Sequence, residues 1–387
     1  MVAQSGGPTT VMNASLAGIV EAARQSGAFA SVLGSRNGVE GILSTDLIDL
    51  TGLSRDRLAR LRATPSAALG TSRHRPADDE IERILDAFRA WAVAAFVPIG
   101  GNDTADTAAR LCAAARARGQ TLSVVTVPKT IDNDLAETDH SPGYGSAARF
   151  IALSVRDSAF DTRAMARLYP IKIVEVMGRN AGWLAAAGGL AFDAGLPRPL
   201  LCLPERPFEN VEELATLAEN RIARDGYCVV VVPETMRWVS GSPVAGDTPD
   251  WVDAFGHPYF LGVGNALARH LSSLLGVRAR YDKPGTIARM AMHAASTVDL
   301  EEATTCGAHA ARRAAQGESG VMVTILRTGN EPYEACYGAS PLERIANIEL
   351  RLPDDMIAGC GHDTTARFDE YARPLLGPDL ARYEVLC

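Results

Sequence analysis

The sequence predicts an α/β protein with mainly parallel sheets. Short apolar runs rich in Val and Ile alternate with Ala-rich amphipathic stretches along most of the chain, which is the pattern of strand–helix units. The 387 residues are enough for two domains that each bury a core. A composition of 47% hydrophobic and 22% charged residues is that of a folded globular protein, and it excludes disordered, collagen-like and disulfide-scaffold classes.

The strands and helices follow from this alternation in chain order. After a short first strand at residues 1–4, the apolar runs predict strands at 30–33, 94–99, 122–127, 171–176, 200–203, 228–232 and 321–326. The amphipathic stretches predict helices at 11–25, 78–91, 103–118, 145–163, 180–190, 211–225, 262–275 and 300–316. Several of these helices have Asp or Asn near their first residue, as helix caps should.

Charge and cysteine usage exclude several partners and compartments. The net charge of −8 argues against a general nucleic-acid binder. No apolar run reaches the ~18 residues of a membrane span, and no leader-like segment opens the chain, so neither a membrane nor a secreted protein is expected. The seven cysteines are widely spaced without C-x-x-C, which predicts reduced thiols in a cytoplasmic protein.

Two glycine-rich turns follow predicted strands and precede predicted helices. They are S-G-G-P-T-T at 5–10 and G-G-N-D-T at 100–104. Ligands of open α/β sheets bind at the carboxyl ends of strands, where glycines let an anion approach a helix N-terminus. The first turn is therefore an anion site or a plain strand–helix connection. Asp103 is a helix cap, or a carboxylate that repels a negative group or holds Mg²⁺.

Two further segments at strand ends carry reactive side chains. The segment P-K-T-I-D-N-D at 128–134 supplies a cation, a hydroxyl and two carboxylates, which suits phosphoryl transfer to a hydroxyl acceptor. The other interpretation is a polar turn whose Asp and Asn bond their own backbone. In V-M-G-R-N at 176–180, Arg179 is a phosphate clamp or a surface arginine. The chain lacks a Walker A motif, a Rossmann G-x-G-x-x-G after a strand and a serine-hydrolase elbow.

Five segments together resemble a known family. They are S-G-G-P at 5–8, L-G-T-S-R at 69–73, G-G-N-D at 100–103, P-K-T-I-D-N-D at 128–134 and V-E-V-M-G-R-N-A-G-W at 174–183. Their order resembles the 6-phosphofructokinases, with closest similarity to the pyrophosphate-dependent members. The resemblance implies two Rossmann-like lobes with the active site in the cleft between them. It also implies reversible phosphoryl transfer from pyrophosphate to the 1-hydroxyl of fructose 6-phosphate, giving fructose 1,6-bisphosphate and phosphate in glycolysis.

The resemblance further implies roles for individual residues. The implied catalytic set is Asp132, Thr130, Lys129 and Arg179, with Asp132 as the base that takes the 1-hydroxyl proton. The implied donor-binding set is Gly6, Gly7, Arg73, Asp103 and Lys129. The implied substrate-binding set is Thr130, Asp132, Asp134, Met177, Gly178, Arg179, Glu234, Arg280, Thr286 and Arg289.

Two positions favour pyrophosphate over ATP as the phosphoryl donor. ATP-dependent bacterial members of the family have Gly where this chain has Asp103 and Lys129, whereas pyrophosphate-dependent members have Asp and Lys. A carboxylate at Asp103 would repel the α-phosphate of a nucleotide, and the ammonium of Lys129 would pair with pyrophosphate. Lys129 is one of only three lysines among 38 basic residues, which fits a position that requires a compact point charge.

The chain departs from the family pattern at three positions. The implied cofactor is Mg²⁺ on Asn102 and Asp103, but ATP enzymes have Asp at the first position, and a neutral amide is a poorer ligand for a hard cation. Pro170 stands where the family often has an arginine for the 6-phosphate, and Lys172, on the same strand face, is the predicted substitute. Thr286 stands where many relatives have histidine.

The predicted domains are discontinuous. Residues 1–140 with 290–330 are expected to form a phosphate-donor lobe, and residues 141–289 with 331–387 a sugar-phosphate lobe. In the family, the arginine at the position of Arg280 comes from a neighbouring subunit, which implies a homodimer or homotetramer.

Three alternatives remain open from sequence. The chain could be an ATP-dependent 6-phosphofructokinase, or it could act on another acceptor such as sedoheptulose 7-phosphate. A non-catalytic regulatory or binding paralogue is the third alternative, favoured by Asn102 and Pro170 and opposed by Asp132, Thr130 and Arg179.

Overall fold

The computed structural model describes residues 1–192, 195–246, 248, 251–252, 258–259, 262–378 and 380–385. Its strands are β1 (Val2–Gln4), β2 (Leu33–Ser35), β3 (Leu47–Asp49), β4 (Ala95–Gly100), β5 (Ser123–Pro128), β6 (Ile171–Val176), β7 (Leu200–Leu201), β8 (Cys228–Pro233), β9 (Trp251–Val252), β10 (Pro258–Tyr259), β11 (Ala279–Asp282), β12 (Val321–Asn330) and β13 (Tyr333–Pro341). Its helices are α1 (Met12–Ser26), α2 (Val39–Ser44), α3 (Arg55–Arg62), α4 (Asp78–Ala90), α5 (Asn102–Ala117), α6 (Tyr144–Ala164), α7 (Trp183–Ala187), α8 (Val211–Asp225), α9 (Val263–Leu275), α10 (Thr297–Ala315) and α11 (Ala366–Ala372).

The chain divides into two compact units, each built from two segments. Unit 1 contains Met1–Ser146 and Arg289–Leu350, and unit 2 contains Ala147–Ala288 and Arg351–Cys387. Both units hold a mainly parallel sheet with helices, so the predicted fold class is confirmed. Residues 331–350 differ from expectation: they belong to unit 1 because β13 pairs antiparallel with β12 along its whole length.

Unit 1 is organised around a seven-stranded sheet with the order β13-β12-β5-β4-β1-β2-β3. The five central strands are parallel and only the two edge strands are antiparallel. Every residue of β4 and β5 is buried, as expected of central parallel strands. Helices α1 and α10 pack so closely at Gly18 that a Cβ there would lie 2.0 Å from the Thr304 carbonyl oxygen.

Unit 2 contains a four-stranded parallel sheet with the order β11-β6-β8-β7. Its core is aliphatic, and side chains of α8 and α9 pack onto those of β6 and β8. Arg198 anchors the C-terminal segment: its Nε lies 2.9 Å from Asp363 Oδ1 and its Nη2 lies 2.7 Å from Thr364 Oγ1. Across the described part of the chain, each helix is too short or too polar to span a lipid bilayer.

Two predicted elements differ clearly from the structure. The strand predicted at 30–33 is in fact Leu33–Ser35, and the helix predicted at 180–190 is reduced to Trp183–Ala187. In the second case the segment before the helix is a loop, and its Gly182 amide donates to Glu205, which follows β7 in the chain. The strand at 171–176 and the helix at 211–225 have the predicted bounds.

Candidate active site

The first group of predicted site residues lies at the carboxyl ends of three neighbouring strands in unit 1. β5, β4 and β1 are adjacent and parallel. The turn at 5–10 follows β1, the start of α5 follows β4, and the segment 129–134 follows β5. The sheet therefore brings together three loops that the sequence analysis treated separately, at the edge where open α/β sheets bind ligands.

The turn after β1 is fixed by hydrogen bonds to the segment 69–73. Gly6 has φ +77° and its amide donates to the Ser72 carbonyl (3.0 Å), while Thr71 Oγ1 donates to the Gly6 carbonyl (2.6 Å). These bonds bring the next residue, Arg73, to the same turn. Its Nη2 lies 4.0 Å from where a Cβ of Gly7 would be.

Lys129 is the buried centre of this site. It is only 4% exposed, and its Nζ donates to the Gly7 carbonyl at 2.9 Å. The pKa of Lys129 is lowered to about 8, mainly by burial. The nearby charges of Arg289 and Arg73 act in the same direction, and the carboxylates of Asp132 and Asp134 oppose them. Three cations around a glycine turn make a pocket that favours an anion.

Arg289 lies beside the turn at 5–10 in unit 1. Thr10 Oγ1 donates to the Arg289 carbonyl at 3.1 Å. The guanidinium Nη1 would be 2.8 Å from a Cβ at Gly7, so a larger residue there would force the Arg289 side chain to shift. The resemblance assigned Arg289 to the sugar phosphate, and its position adds proximity to Gly7 and Lys129.

The loop after β5 is ordered by its own polar side chains. The Asp132 amide donates to Thr130 Oγ1 (3.1 Å), and the Ser141 amide donates to Asn133 Oδ1 (3.0 Å). Asn133 has φ +55°, a left-handed conformation that asparagine tolerates. The side chain of Thr130 binds the backbone two residues on, whereas Asn133 binds the backbone of Ser141, and Asp132 lies between them in the chain.

The start of α5 offers oxygen ligands to a hard cation. Asn102 Oδ1 is buried and makes no hydrogen bond, and Asp103 lies in the first turn of the helix. In the described ranges, no cluster of three or more His, Cys, Asp or Glu side chains could hold a metal ion. The Asn102 amide and the Asp103 carboxylate are oxygen donors of the kind that Mg²⁺ accepts.

The second group of predicted residues lies at the carboxyl ends of β6 and β8 in unit 2. These strands are parallel neighbours. Met177, Gly178 and Arg179 follow β6, and Gly178 has φ +114°. Glu234 follows β8; its amide donates to the Val176 carbonyl at 2.9 Å, and Thr235 Oγ1 donates to the Arg179 carbonyl at 2.6 Å. The two loops are thereby tied together.

Arg280 and Thr286 lie elsewhere in unit 2. Arg280 is exposed on the edge strand β11, and its guanidinium carbon lies 4.9 Å from the centre of the Tyr169 ring. Thr286 is exposed in the 3₁₀ turn Gly285–Arg289.

Lys172 forms ion pairs with two carboxylates. Its Nζ lies 2.7 Å from Asp282 Oδ2 and 3.6 Å from Asp161 Oδ2. This pairing argues against its predicted role as a substitute for the arginine missing at Pro170.

One residue that sequence reasoning missed is Glu205. Its Oε1 accepts hydrogen bonds from the amides of Gly182 and Leu352, both at 2.9 Å. It therefore orders the segment that follows Arg179. The sequence does contain a signal for this role, because Glu205 is a carboxylate just beyond the end of the strand predicted at 200–203.

The chain is similar to known proteins over most of its length. The family model described as phosphofructokinase matches residues 1–314. The pyrophosphate–fructose 6-phosphate 1-phosphotransferase of Methylococcus capsulatus is 39% identical, over 98% of this chain and 92% of that protein. The enzyme of that name from Xanthomonas campestris is 40% identical, over 97% of this chain and 91% of that protein.

Solved structures agree with these sequence matches. The crystal structure of a pyrophosphate-dependent phosphofructokinase from Nitrosospira multiformis superposes with a TM-score of 0.90 at 35% identity, and the match covers 99% of this chain and 93% of that one. The similarity thus extends over both units and past the five motifs. The chain belongs to the phosphofructokinase family.

Proposed function

We propose that this chain transfers a phosphoryl group from pyrophosphate to the 1-hydroxyl of fructose 6-phosphate, giving fructose 1,6-bisphosphate and phosphate. The observation that carries the proposal is the buried Lys129 ammonium at the Gly7 carbonyl. Near-full-length relatives that bear the pyrophosphate-dependent name support the same donor.

The electrostatics of the pocket explain why a small, highly charged donor fits. A buried ammonium with one carbonyl partner carries an uncompensated desolvation cost. A bound pyrophosphate supplies the missing negative charge, so Lys129 regains a pKa nearer its ordinary value when the donor binds. Arg73 adds a second cation at the same turn.

In this proposal Asp103 selects pyrophosphate over a nucleotide as the phosphoryl donor. A helix N-terminus ordinarily attracts phosphate groups through its free amides and its dipole. A carboxylate in the first turn of α5 occupies that favourable place and repels a further phosphate. Pyrophosphate is short enough to avoid the Asp103 carboxylate, whereas a nucleotide would bring its α-phosphate next to this carboxylate.

Catalysis is divided between the two groups of residues. Asp132 takes the proton of the acceptor hydroxyl, while Thr130 and Asp134 shape its loop. Arg179 and Lys129 stabilise charge on the moving phosphoryl group. Asn102 and Asp103 would hold Mg²⁺, which supplies charge neutralisation on the donor oxygens when bound.

The remaining predicted residues bind the sugar phosphate. In this proposal unit 1 is the donor unit and unit 2 the sugar-phosphate unit, in which Met177, Gly178 and Glu234 contact the sugar. Thr286 and Arg280 bind its phosphate, Arg280 from a neighbouring subunit of a cytoplasmic homodimer or homotetramer. Arg289 contacts both the donor turn and the sugar phosphate.

Parallel initial rates test the function directly. Fructose 6-phosphate and Mg²⁺ are supplied with either pyrophosphate or ATP, and fructose 1,6-bisphosphate is measured. Turnover with pyrophosphate alone is expected. Turnover with ATP alone would mean that Asp103 and Lys129 do not select the donor, and no turnover with either would indicate a non-catalytic binding protein.

The affinity for pyrophosphate is expected to depend on pH through Lys129. Because its pKa in the free enzyme is about 8, kcat/KM for pyrophosphate should fall as the pH rises through about 8, where the ammonium loses its proton. Lys129→Arg keeps its charge in this range, so its profile should stay flatter. Ionisation of pyrophosphate itself is common to both proteins and cancels in their ratio; an identical fall in both would contradict this assignment.

Gly7→Ala tests the close approach of Arg289 to the donor turn. The added Cβ would lie 2.8 Å from Arg289 Nη1, so the guanidinium must move while the backbone keeps an allowed conformation. We expect kcat/KM for pyrophosphate to fall by about tenfold to a hundredfold, the value of one lost charge-assisted contact. Gly52→Ala is the matched control, because nothing lies within 4 Å of a Cβ there.

A further inference from the structure

A cluster of polar side chains around the buried His140 in unit 1 lies outside the proposed catalytic set. We call it the His140 cluster: His140, Asp139, Glu302, Arg327 and Tyr333. His140 Nδ1 is 2.7 Å from Asp139 Oδ2, and its Nε2 is 2.6 Å from Glu302 Oε2. The His140 side chain is only 1% exposed.

The geometry requires a protonated imidazole ring. Both nitrogens face carboxylate oxygens, which only accept hydrogen bonds, so both nitrogens must donate. Arg327 also binds Asp139: its Nε (3.1 Å) and Nη2 (2.9 Å) donate to Oδ2, the same oxygen that His140 Nδ1 faces, and its Nε lies 3.2 Å from Oδ1. Tyr333 Oη donates to Glu302 Oε1 at 2.5 Å. Two carboxylates and two cations thus balance one another in a buried site, an arrangement in which removing one partner leaves an uncompensated charge.

The cluster is joined to the loop that carries Asp132. Ser141, next to His140, donates its amide to Asn133, next to Asp132 (3.0 Å). On the other side of His140, Thr138 Oγ1 donates to the His140 carbonyl at 2.9 Å. The loop then returns to Thr130, whose amide donates to the Pro142 carbonyl at 3.2 Å.

A second carboxylate of α10 fixes the end of the same loop. Asp299 Oδ1 accepts from the Gly143 amide and Asp299 Oδ2 from the Ser146 amide, both at 2.8 Å. Glu302 lies one helical turn further along α10. Helix α10 therefore contacts the loop at two points: Asp299 accepts from its backbone amides, and Glu302 binds His140.

We propose that His140, held as a cation between Asp139 and Glu302, is a positioning residue that fixes the loop 130–143 and thereby places Asp132. The inference rests on the proposed function, because Asp132 is the base of that reaction. It adds a residue that touches no substrate and acts through the loop.

The pKa of His140 supports the same picture. Burial alone would lower the pKa, but the Glu302 and Asp139 carboxylates outweigh it and raise the pKa to about 9. The cation is therefore present at neutral pH, and the cluster gains a net negative charge as the pH rises through about 9. Among other titratable groups on the packed elements, the pKa is raised at Asp299 and Cys306 of α10, Tyr144 of α6, and Tyr333 and Tyr337 of β13. The pKa of His309 of α10 is lowered, chiefly by burial.

The test compares wild type with His140→Gln at saturating pyrophosphate and fructose 6-phosphate. A misplaced loop lowers kcat, and we expect a loss of up to about 10²-fold with both KM values within about twofold. Wild-type kcat should fall above about pH 9, and this fall should be absent in His140→Gln. Adding Glu302→Gln to His140→Gln restores charge balance and should recover part of kcat.

His309→Gln is the matched control, since His309 lies on α10 but stacks on Tyr337 at 5.0 Å between ring centres and is partly exposed. Wild-type kcat in His140→Gln with an unchanged alkaline limb would overturn the inference. If that variant does not fold, ¹⁵N-histidine NMR of the wild type decides: a neutral His140 ring at pH 7.5 is the contrary result. Wild-type inactivity with pyrophosphate would instead remove the proposed function, and the NMR signal still reports the charge of His140.

Discussion

Asp132→Asn is expected to lower kcat by about 10²–10⁴-fold, the usual contribution of a positioned general base. The amide has the same size as the carboxylate, and the backbone bond from residue 132 to Thr130 Oγ1 does not involve the altered group. The loop should therefore keep its conformation, with KM for both substrates changed only a few-fold. Steady-state rates with pyrophosphate and fructose 6-phosphate measure the effect.

Asp79→Asn is the control for this substitution. Asp79 is exposed in the first turn of α4 in the same unit, so it tests the loss of one carboxylate without touching the loop. Its kinetics should equal those of wild type, and both variants should unfold at nearly the same temperature. A fully active Asp132→Asn protein would remove Asp132 from the mechanism and leave positioning alone to explain the rate.

The location of the candidate site could be predicted because its polar and glycine-rich segments directly follow the ends of predicted strands. The turn at 5–10 and the loop at 128–134 both follow buried strands, and parallel strands deliver their carboxyl ends to one edge. Lys129 stood out because lysine is rare in this chain. None of these inferences needed knowledge of distant contacts.

The contacts that were missed join residues far apart in the chain. Arg289 reaches Gly7 across 282 positions, and Lys172 pairs with Asp282 on a neighbouring strand. Nothing in the local sequence of either residue specifies its partner, since the partner is set by strand order. The His140 cluster is missed for the same reason, because Glu302 and Arg327 come from α10 and β12.

Edge strands were missed for a different reason. β11 is largely exposed, and exposed and partly buried residues alternate along much of β13. Neither strand therefore forms the continuous apolar run by which buried strands are identified. The error at 331–350 follows directly, because without β13 the chain after β12 has no visible reason to stay in unit 1.

Asp103→Gly combined with Lys129→Gly is expected to exchange the donor. Losing the Lys129 ammonium should reduce kcat/KM for pyrophosphate by about 10²–10³-fold, equivalent to about 3–4 kcal/mol. Removing the Asp103 carboxylate frees the first turn of α5 for a phosphate, so measurable turnover with ATP should appear. Initial rates with each donor at fixed fructose 6-phosphate give both numbers.

The two single variants separate the two effects. Lys129→Gly alone should lose pyrophosphate activity without gaining ATP, since the repelling carboxylate remains. Asp103→Gly alone should keep part of the pyrophosphate activity, because Lys129 still supplies its charge at the Gly7 carbonyl although one proposed Mg²⁺ ligand is lost. It should also accept ATP weakly. If the double variant loses pyrophosphate activity and still rejects ATP, then a nucleotide is excluded by the shape of the pocket and not by the charge of Asp103.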